Sequence, residues 1–209
     1  MSKKQETKAR ILDAAQVLFA ERGFAETSLR AITTRANVNL ASVNYHFGSK
    51  KSLIQAVFDR FLADFTRELS RELRLMDADA PVTIERVLEG LIEPLITINK
   101  QQANGISIFM RLLGRAYAET QGHLRRYVTE RYGHVLEQFT AQLQKAYPSL
   151  DMSQVFWRLH FMLGSLIFTL AGSEALREIS ESDFGQKVSI EELIHQIIPF
   201  LAAGMRAEA

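Results

Sequence analysis

The sequence predicts an all-α fold of about nine helices, with an N-terminal helix-turn-helix unit followed by a longer helical body. Three observations lead there. Apolar residues recur at helical spacing along the chain, and no segment alternates convincingly as a strand. Residues 27–51 read as two short helices joined by a tight turn, followed at once by the capped start of a third. Charge is also polarised: residues 1–60 carry 10 Lys+Arg against 5 Asp+Glu, leaving 15 against 19 for residues 61–209, out of totals of 25 and 24. The N-terminal third is therefore the part suited to phosphates.

The first helix is marked by Ile11, Leu12, Ala15, Leu18 and Phe19, and it stops at Arg22-Gly23-Phe24, where Gly23 can turn the chain and Phe24 can fold back. Thr27 or Ser28 caps the second helix, whose buried stripe is Leu29, Ile32 and Ala36. Asn37-Val38-Asn39 forms the turn, Asn39 caps the third helix, and Val43 and Phe47 face inward. A fourth helix begins at Ser49, with a stripe from Leu53 to Leu73, and is broken at Ala78-Asp79-Ala80-Pro81. Further helices are expected over roughly 82–100, 104–119, 122–146, 152–179 and 189–206, with Pro94 and Pro199 kinking or restarting theirs. The expected boundary falls at residue 52, with 1–52 as the DNA-binding domain and 53–209 as a separate helical domain.

The absence of cysteine excludes disulfides, thiolate metal sites and cysteine nucleophiles, and it fits a reducing cytoplasm. No signal-peptide core is seen at the start, and the apolar stretch Phe161–Gly172 reads as buried helix, too short to span a bilayer. The histidines fall on separate helices, so neither a metal site nor a cofactor is expected.

The outer face of the third helix runs from Leu40 through Ala41, Ser42 and Asn44 to Tyr45, small or polar residues plus one aromatic, as suits a helix entering a major groove. Lys50 and Lys51 occupy the first turn of the fourth helix, where the dipole disfavours cations; an adjacent phosphate explains them better than local stability does. His46 reads as a packing and phosphate-contact residue. The candidate DNA-binding set is thus Thr27, Ser28, Asn39, Leu40, Ala41, Ser42, Asn44, Tyr45, His46 and Lys50. Arg30, Arg35, Lys3, Lys4 and Lys8 are equally compatible with ordinary charged surface.

Residues 7–60, with Ile11-Leu12-Asp13-Ala14-Ala15, Leu18 to Phe24, Thr27 to Ile32, Val38-Asn39 and Phe47-Gly48-Ser49-Lys50, resemble the TetR family of bacterial repressors. The resemblance implies an all-helical homodimer that binds a double-stranded DNA operator and is released by a small ligand. Many members carry an aromatic where this chain has Asn44. Here the phenol is displaced to Tyr45, so a phosphate contact is assigned to Tyr45 and a base contact to Asn44. The Val43 to Lys50 string is most similar to the fatty-acid-responsive branch found in pseudomonads, which implies an apolar or acyl effector.

An apolar cavity for that effector is expected to be lined by Phe61, Phe65, Ile92, Leu95, Phe109, Met110, Leu113, Tyr117 and Phe161, with Arg111, Arg115, Arg131, His134 or His160 as a polar anchor. Small residues Gly164, Ser165, Thr169, Ala171 and Gly172, and the stripe Leu193 to Met205, form either a four-helix dimer interface or an intramolecular core, the core explaining the 152–179 helix better than the last one. Two alternatives stand beside the repressor reading: a DNA-binding adaptor regulated by a protein partner, and an enzyme. The enzyme is disfavoured because no nucleophile–base pair, phosphate-binding glycine loop or paired carboxylates stand out.

Overall fold

A computed structural model describes residues 3–76, 81–119 and 122–207, and among these residues every regular element is an α-helix. In chain order they are α1 Lys3–Arg22, α2 Leu29–Ala36, α3 Leu40–Phe47, α4 Lys50–Leu75, α5 Ile84–Glu89, α6 Ile92–Gln101, α7 Gly105–Ala118, α8 Gly122–Ala146, α9 Met152–Ala171, α10 Ser173–Phe184 and α11 Ile190–Arg206. The chain divides into two compact units, Met1–Ala63 with Arg111–Arg131, and Asp64–Met110 with Tyr132–Ala209, so that α4, α7 and α8 each contribute to both. This division by packing does not follow the partition at residue 52, which was drawn on function.

In the first unit α1, α2 and α3 pack on one another around Ile11, Ala15, Phe19, Ile32 and Val43, all buried, together with Leu53, Val57 and Phe58 of α4. Each such large side chain contributes about 1.5–3 kcal/mol of burial. Gly23 adopts a φ of 88° and ends α1, and Phe24 folds back as expected, its ring 5.4 Å from Phe19 and 6.1 Å from Phe58. The start of α8 is tied to α4 by the Tyr127 hydroxyl, which donates to Asp59 at 2.6 Å, and by an Arg131–Asp59 ion pair at 3.4 Å.

The second unit is built around α11, which packs on α5, α6 and α9 and buries Ile194, Ile198, Leu201, Ala202 and Met205. Capping boxes start α9, with Asp151 and Gln154, and α11, with Ser189 and Glu192. The Ser189 backbone N–H, and then its hydroxyl, hold the Glu192 carboxyl below the usual carboxylate range. Arg158 donates to the carbonyls of Met205 and Ala207, satisfying the open end of α11.

Two expected helices are each divided. The 82–100 segment breaks at Gly90-Leu91, where a Cβ on Gly90 would stand 2.5 Å from Met76 Cε, so the glycine permits a close approach. Pro94 falls in the first turn of α6, where its missing N–H has no intrahelical acceptor to lose. The 152–179 segment breaks at Gly172, and its second part runs on to Phe184, ended by Gly185 in the left-handed region. Pro199 lies inside α11. Of the expected break at residues 78–81, Ala78-Asp79-Ala80 lie outside the described residues.

The expected burial of the last two long helices is reversed. α9 is long and apolar enough to cross a membrane by length and composition, yet within its own unit it leaves Phe156, Trp157, Phe161 and Phe168 exposed, whereas α11 is well buried along one face. The intramolecular core therefore accounts for α11 and leaves one side of α9 unexplained.

Candidate nucleic-acid interface

The interface is assembled from capped local structure. Ser28 is the N-cap of α2, its hydroxyl accepting from Ala31 N–H at 3.1 Å. Asn37 takes the left-handed conformation at φ 50°, and Val38 N–H reaches back to the Thr33 carbonyl at 3.0 Å, which turns the chain sharply into α3. Asn39 caps α3 by accepting from both the Ser42 N–H and the Ser42 hydroxyl at 2.8 Å. Gly48, at φ 73°, closes α3 through its N–H to the Asn44 carbonyl, and the Ser49 hydroxyl accepts from Ser52 N–H to start α4.

These caps present α3 edge-on. Val43 is fully buried beneath it, and Leu40, Ala41, Asn44 and Tyr45 are exposed, Tyr45 to 70%. Their spacing, 40 with 44 and 41 with 45, makes a single outward stripe. Ser42 and His46 are half-buried on its flanks, and the His46 ring meets Tyr45 edge-on at 5.1 Å. Phe47 is only half-buried, so it is a flank of the core and not part of its interior.

One candidate is corrected. Thr27 is fully buried, and its hydroxyl faces the carbonyls of Gly23 at 2.7 Å and Leu18 at 3.1 Å, so its side chain is neither the cap of α2 nor available to DNA. Its role is to tie the end of α1 to the start of α2. Thr27→Val is expected to lower stability by about 1–3 kcal/mol, read as a drop in the urea midpoint at unchanged slope, because the buried carbonyls lose a donor.

The structure adds two contacts that sequence periodicity left undecided. Lys4 Nζ stands 5.0 Å from the centre of the Tyr45 ring, and Lys8 Nζ 5.9 Å from that of Phe47. Both lysines come from one face of α1, so its basic start lies along the outward edge of α3. Lys50 donates to the Ala25 carbonyl at 3.3 Å, beside the same surface. Arg35, also ambiguous from sequence, stands 3.9 Å from Glu21.

The expected effector residues are dispersed. Phe61, Leu113 and Tyr117 belong to the first unit, and Phe65, Ile92, Leu95, Phe109, Met110 and Phe161 to the second. Phe61, Ile92, Leu95, Phe109 and Met110 are buried, Phe65 and Leu113 half-buried, and the Phe65 and Phe109 rings lie 6.3 Å apart. Tyr117 and Phe161 are corrections: at 62% and 67% exposed, they face outward in their own units. None of the nine lines either of two open grooves on the surface. One, of about 410 Å³, lies in the second unit between α9 and α11 along Ser165, Phe168, Thr169, Leu193, Gln196, Ile197 and Phe200. The other, of about 570 Å³, lies in the first unit between α1 and α7. Of the expected anchors, Arg111 lines that second groove, Arg115 donates to the Glu21 carbonyl, Arg131 pairs with Asp59, and the His160 ring lies tilted against Phe156, centres 4.2 Å apart.

Comparison with known families settles what this arrangement belongs to. Residues 11–57 match the profile described as bacterial regulatory proteins, tetR family, and residues 89–204 match the tetracyclin repressor-like C-terminal domain, more than half of the chain. The chain belongs to the TetR family. Among relatives of this TetR-family chain, HTH-type transcriptional repressor Rv3405c of Mycobacterium tuberculosis is 44% identical over 93 residues, covering 42% of this chain and 50% of that protein. HTH-type transcriptional repressor KstR2 of Rhodococcus jostii is 33% identical over 94 residues, covering 45% and 46%. The aligned part thus spans about half the length of these relatives. The fold extends further: HlyIIR, a hemolysin II transcriptional regulator, superposes with a TM-score of 0.61 at 19% identity over 96% of this chain and 99% of its own. The fatty acid degradation regulator FadR from Bacillus halodurans gives 0.61 at 17% identity, covering 100% and 99%.

Proposed function

We propose that this chain is a homodimeric transcriptional repressor that binds a palindromic operator through α3 and the start of α4, and lets go when a small apolar effector of the fatty acid or acyl-CoA class occupies its helical body. In this reading residues 1–52 read DNA and residues 53–209 bind the effector and dimerise, without cofactor or catalysis, in the cytoplasm. The observation that carries it is the outward stripe of α3, exposed, capped at both ends and bordered by Lys4 and Lys50. A helix so presented fits a major groove, with lysines placed for phosphates.

Dimerisation is supported by the aromatic side of α9, where Phe156, Trp157, Phe161 and Phe168 are exposed together with Phe200 of α11, since clustered exposed apolar side chains mark interaction surfaces. A two-fold axis there would pair the surface with itself and fix two readers on one face of the duplex. The acyl class is supported by the buried apolar set on α6 and the first half of α7, and by two fold neighbours described as fatty acid regulators, FadR and a putative regulator from Clostridium perfringens. Because Ile92, Leu95, Phe109 and Met110 are buried in the second unit, the effector must select a more open arrangement of those helices, and its differential affinity sets the response.

Selection from a random duplex library is expected to return inverted repeats, and recovery of no preferred sequence would remove the repressor reading. Fluorescence anisotropy on the selected duplex then tests the effector. A long-chain fatty acid or acyl thioester is expected to weaken operator binding by ~1–3 kcal/mol of coupling, and operator to weaken acyl binding by the same factor. A full chain-length series without any shift would reject the acyl effector in favour of the protein-regulated adaptor.

A further inference from the structure

The corner between α1 and α2 is held by a residue from far along the chain. Phe24 N–H and Ala25 N–H both donate to the Glu119 carboxylate at 3.0 Å, and Ala25 C=O accepts from Lys50 Nζ at 3.3 Å. Ala25 is therefore gripped on its amide side by Glu119 and on its carbonyl side by Lys50. Glu119 follows directly on α7, and one turn earlier Arg115 donates to the Glu21 carbonyl at 3.0 Å, so the end of α7 grips both sides of Gly23. A Cβ on Gly23 would stand 2.3 Å from Glu119 Oε1, and the φ of 88° is one that other residues resist. The glycine both turns the chain and leaves room for the carboxylate.

We infer that Glu119 is a positioning residue for DNA binding, fixing through Ala25 the place where Lys50 holds its ammonium for a backbone phosphate. This rests on the DNA-binding reading above. An ammonium has three donors, so the bond to Ala25 leaves two for phosphate oxygens. A carboxylate accepting two amide N–H groups makes charge-assisted bonds, roughly twice as strong as neutral ones, and so holds the corner against the pull of a bound phosphate. Without it, the part-buried amide of Phe24 and the exposed amide of Ala25 lose their acceptor, the corner relaxes, and the Ala25 carbonyl no longer anchors Lys50.

The test is a double-mutant cycle on the full chain, measuring affinity for the selected duplex across a salt series. Lys50→Ala is expected to reduce the log–log salt slope by about one. Glu119→Ala is expected to weaken binding by about tenfold with the same loss of slope, and Glu119→Ala/Lys50→Ala to bind no more weakly than the poorer single variant. Glu119→Gln, which keeps an acceptor oxygen without the charge, should fall between wild type and Glu119→Ala. A wild-type slope in Glu119→Ala, or losses that multiply in the double variant, would overturn the inference. Should circular dichroism show Glu119→Ala unfolded, the cycle runs with Glu119→Gln, where multiplying losses have the same meaning. If wild type selects no duplex, the DNA-binding reading itself fails. If wild type binds but Lys50→Ala keeps the full slope, Lys50 is not a phosphate contact and the inference falls with it; if only the coupling is missing, the failure belongs to Glu119 alone.

Discussion

Phe161→Glu combined with Phe168→Glu is expected to convert the protein to a folded monomer and to reduce operator affinity by more than about a hundredfold. Both side chains are exposed within their own unit, at 67% and 74%, so charging them leaves the subunit core intact. On the proposed dimer the substitutions remove the apolar surface that would pair with itself, and a carboxylate facing its symmetry mate across a two-fold axis would meet a like charge in a desolvated place. Losing the second reader removes the avidity that joins two half-sites, typically a factor of ~10²–10⁴. Sedimentation velocity reads the assembly and anisotropy the affinity. A variant that stays dimeric would relocate the interface to another part of the molecule.

Asn44 and Tyr45 are expected to separate specificity from affinity. Both lie on the outward stripe of α3, but an amide can pair two groups on a base edge, whereas a phenol, here with Lys4 Nζ 5.0 Å from its ring centre, more often reaches backbone oxygen. Asn44→Ala should relax the preference at one operator position by roughly 1–3 kcal/mol. Tyr45→Phe should weaken all sequences alike. Repeating the library selection with each variant distinguishes the two, and equal losses on selected and random duplex in both would show that neither side chain reads a base.

The features legible in the sequence were those whose causes are local. Ser28, Asn39 and Ser49 cap helices because a side-chain oxygen three residues before an unpaired N–H needs no tertiary partner. The stripe Ile11, Ile32, Val43 and Leu53 follows from periodicity, and so does the bare outer face of α3. Thr27 misled because Thr27 and Ser28 are chemically equivalent as caps, and only the fold of the corner decides which of them turns inward. The breaks at Gly90 and Gly172 were hidden because a single glycine inside a helical pattern is compatible with continuing it. Apolar composition gave no means of separating Phe109, which is buried, from Phe161 on α9, which is not. Glu119 carries no local signature at all, since its partners lie 94 and 95 positions earlier.

That separation has a consequence for how the protein is made. During synthesis α1, α2 and α3 leave the ribosome well before residue 119 exists. At ~5–20 residues per second the amides of Phe24 and Ala25 wait about 5–20 s for their acceptor. A fragment ending near residue 52 would never receive it. Expressed alone, such a fragment keeps Ser28, Asn39 and Val43 in their places along the chain but carries an unfinished corner, and it is a poor surrogate for the whole protein in binding studies. The late-made end of α7 thus acts as a completion mark: nascent chains lacking it do not present a finished reader.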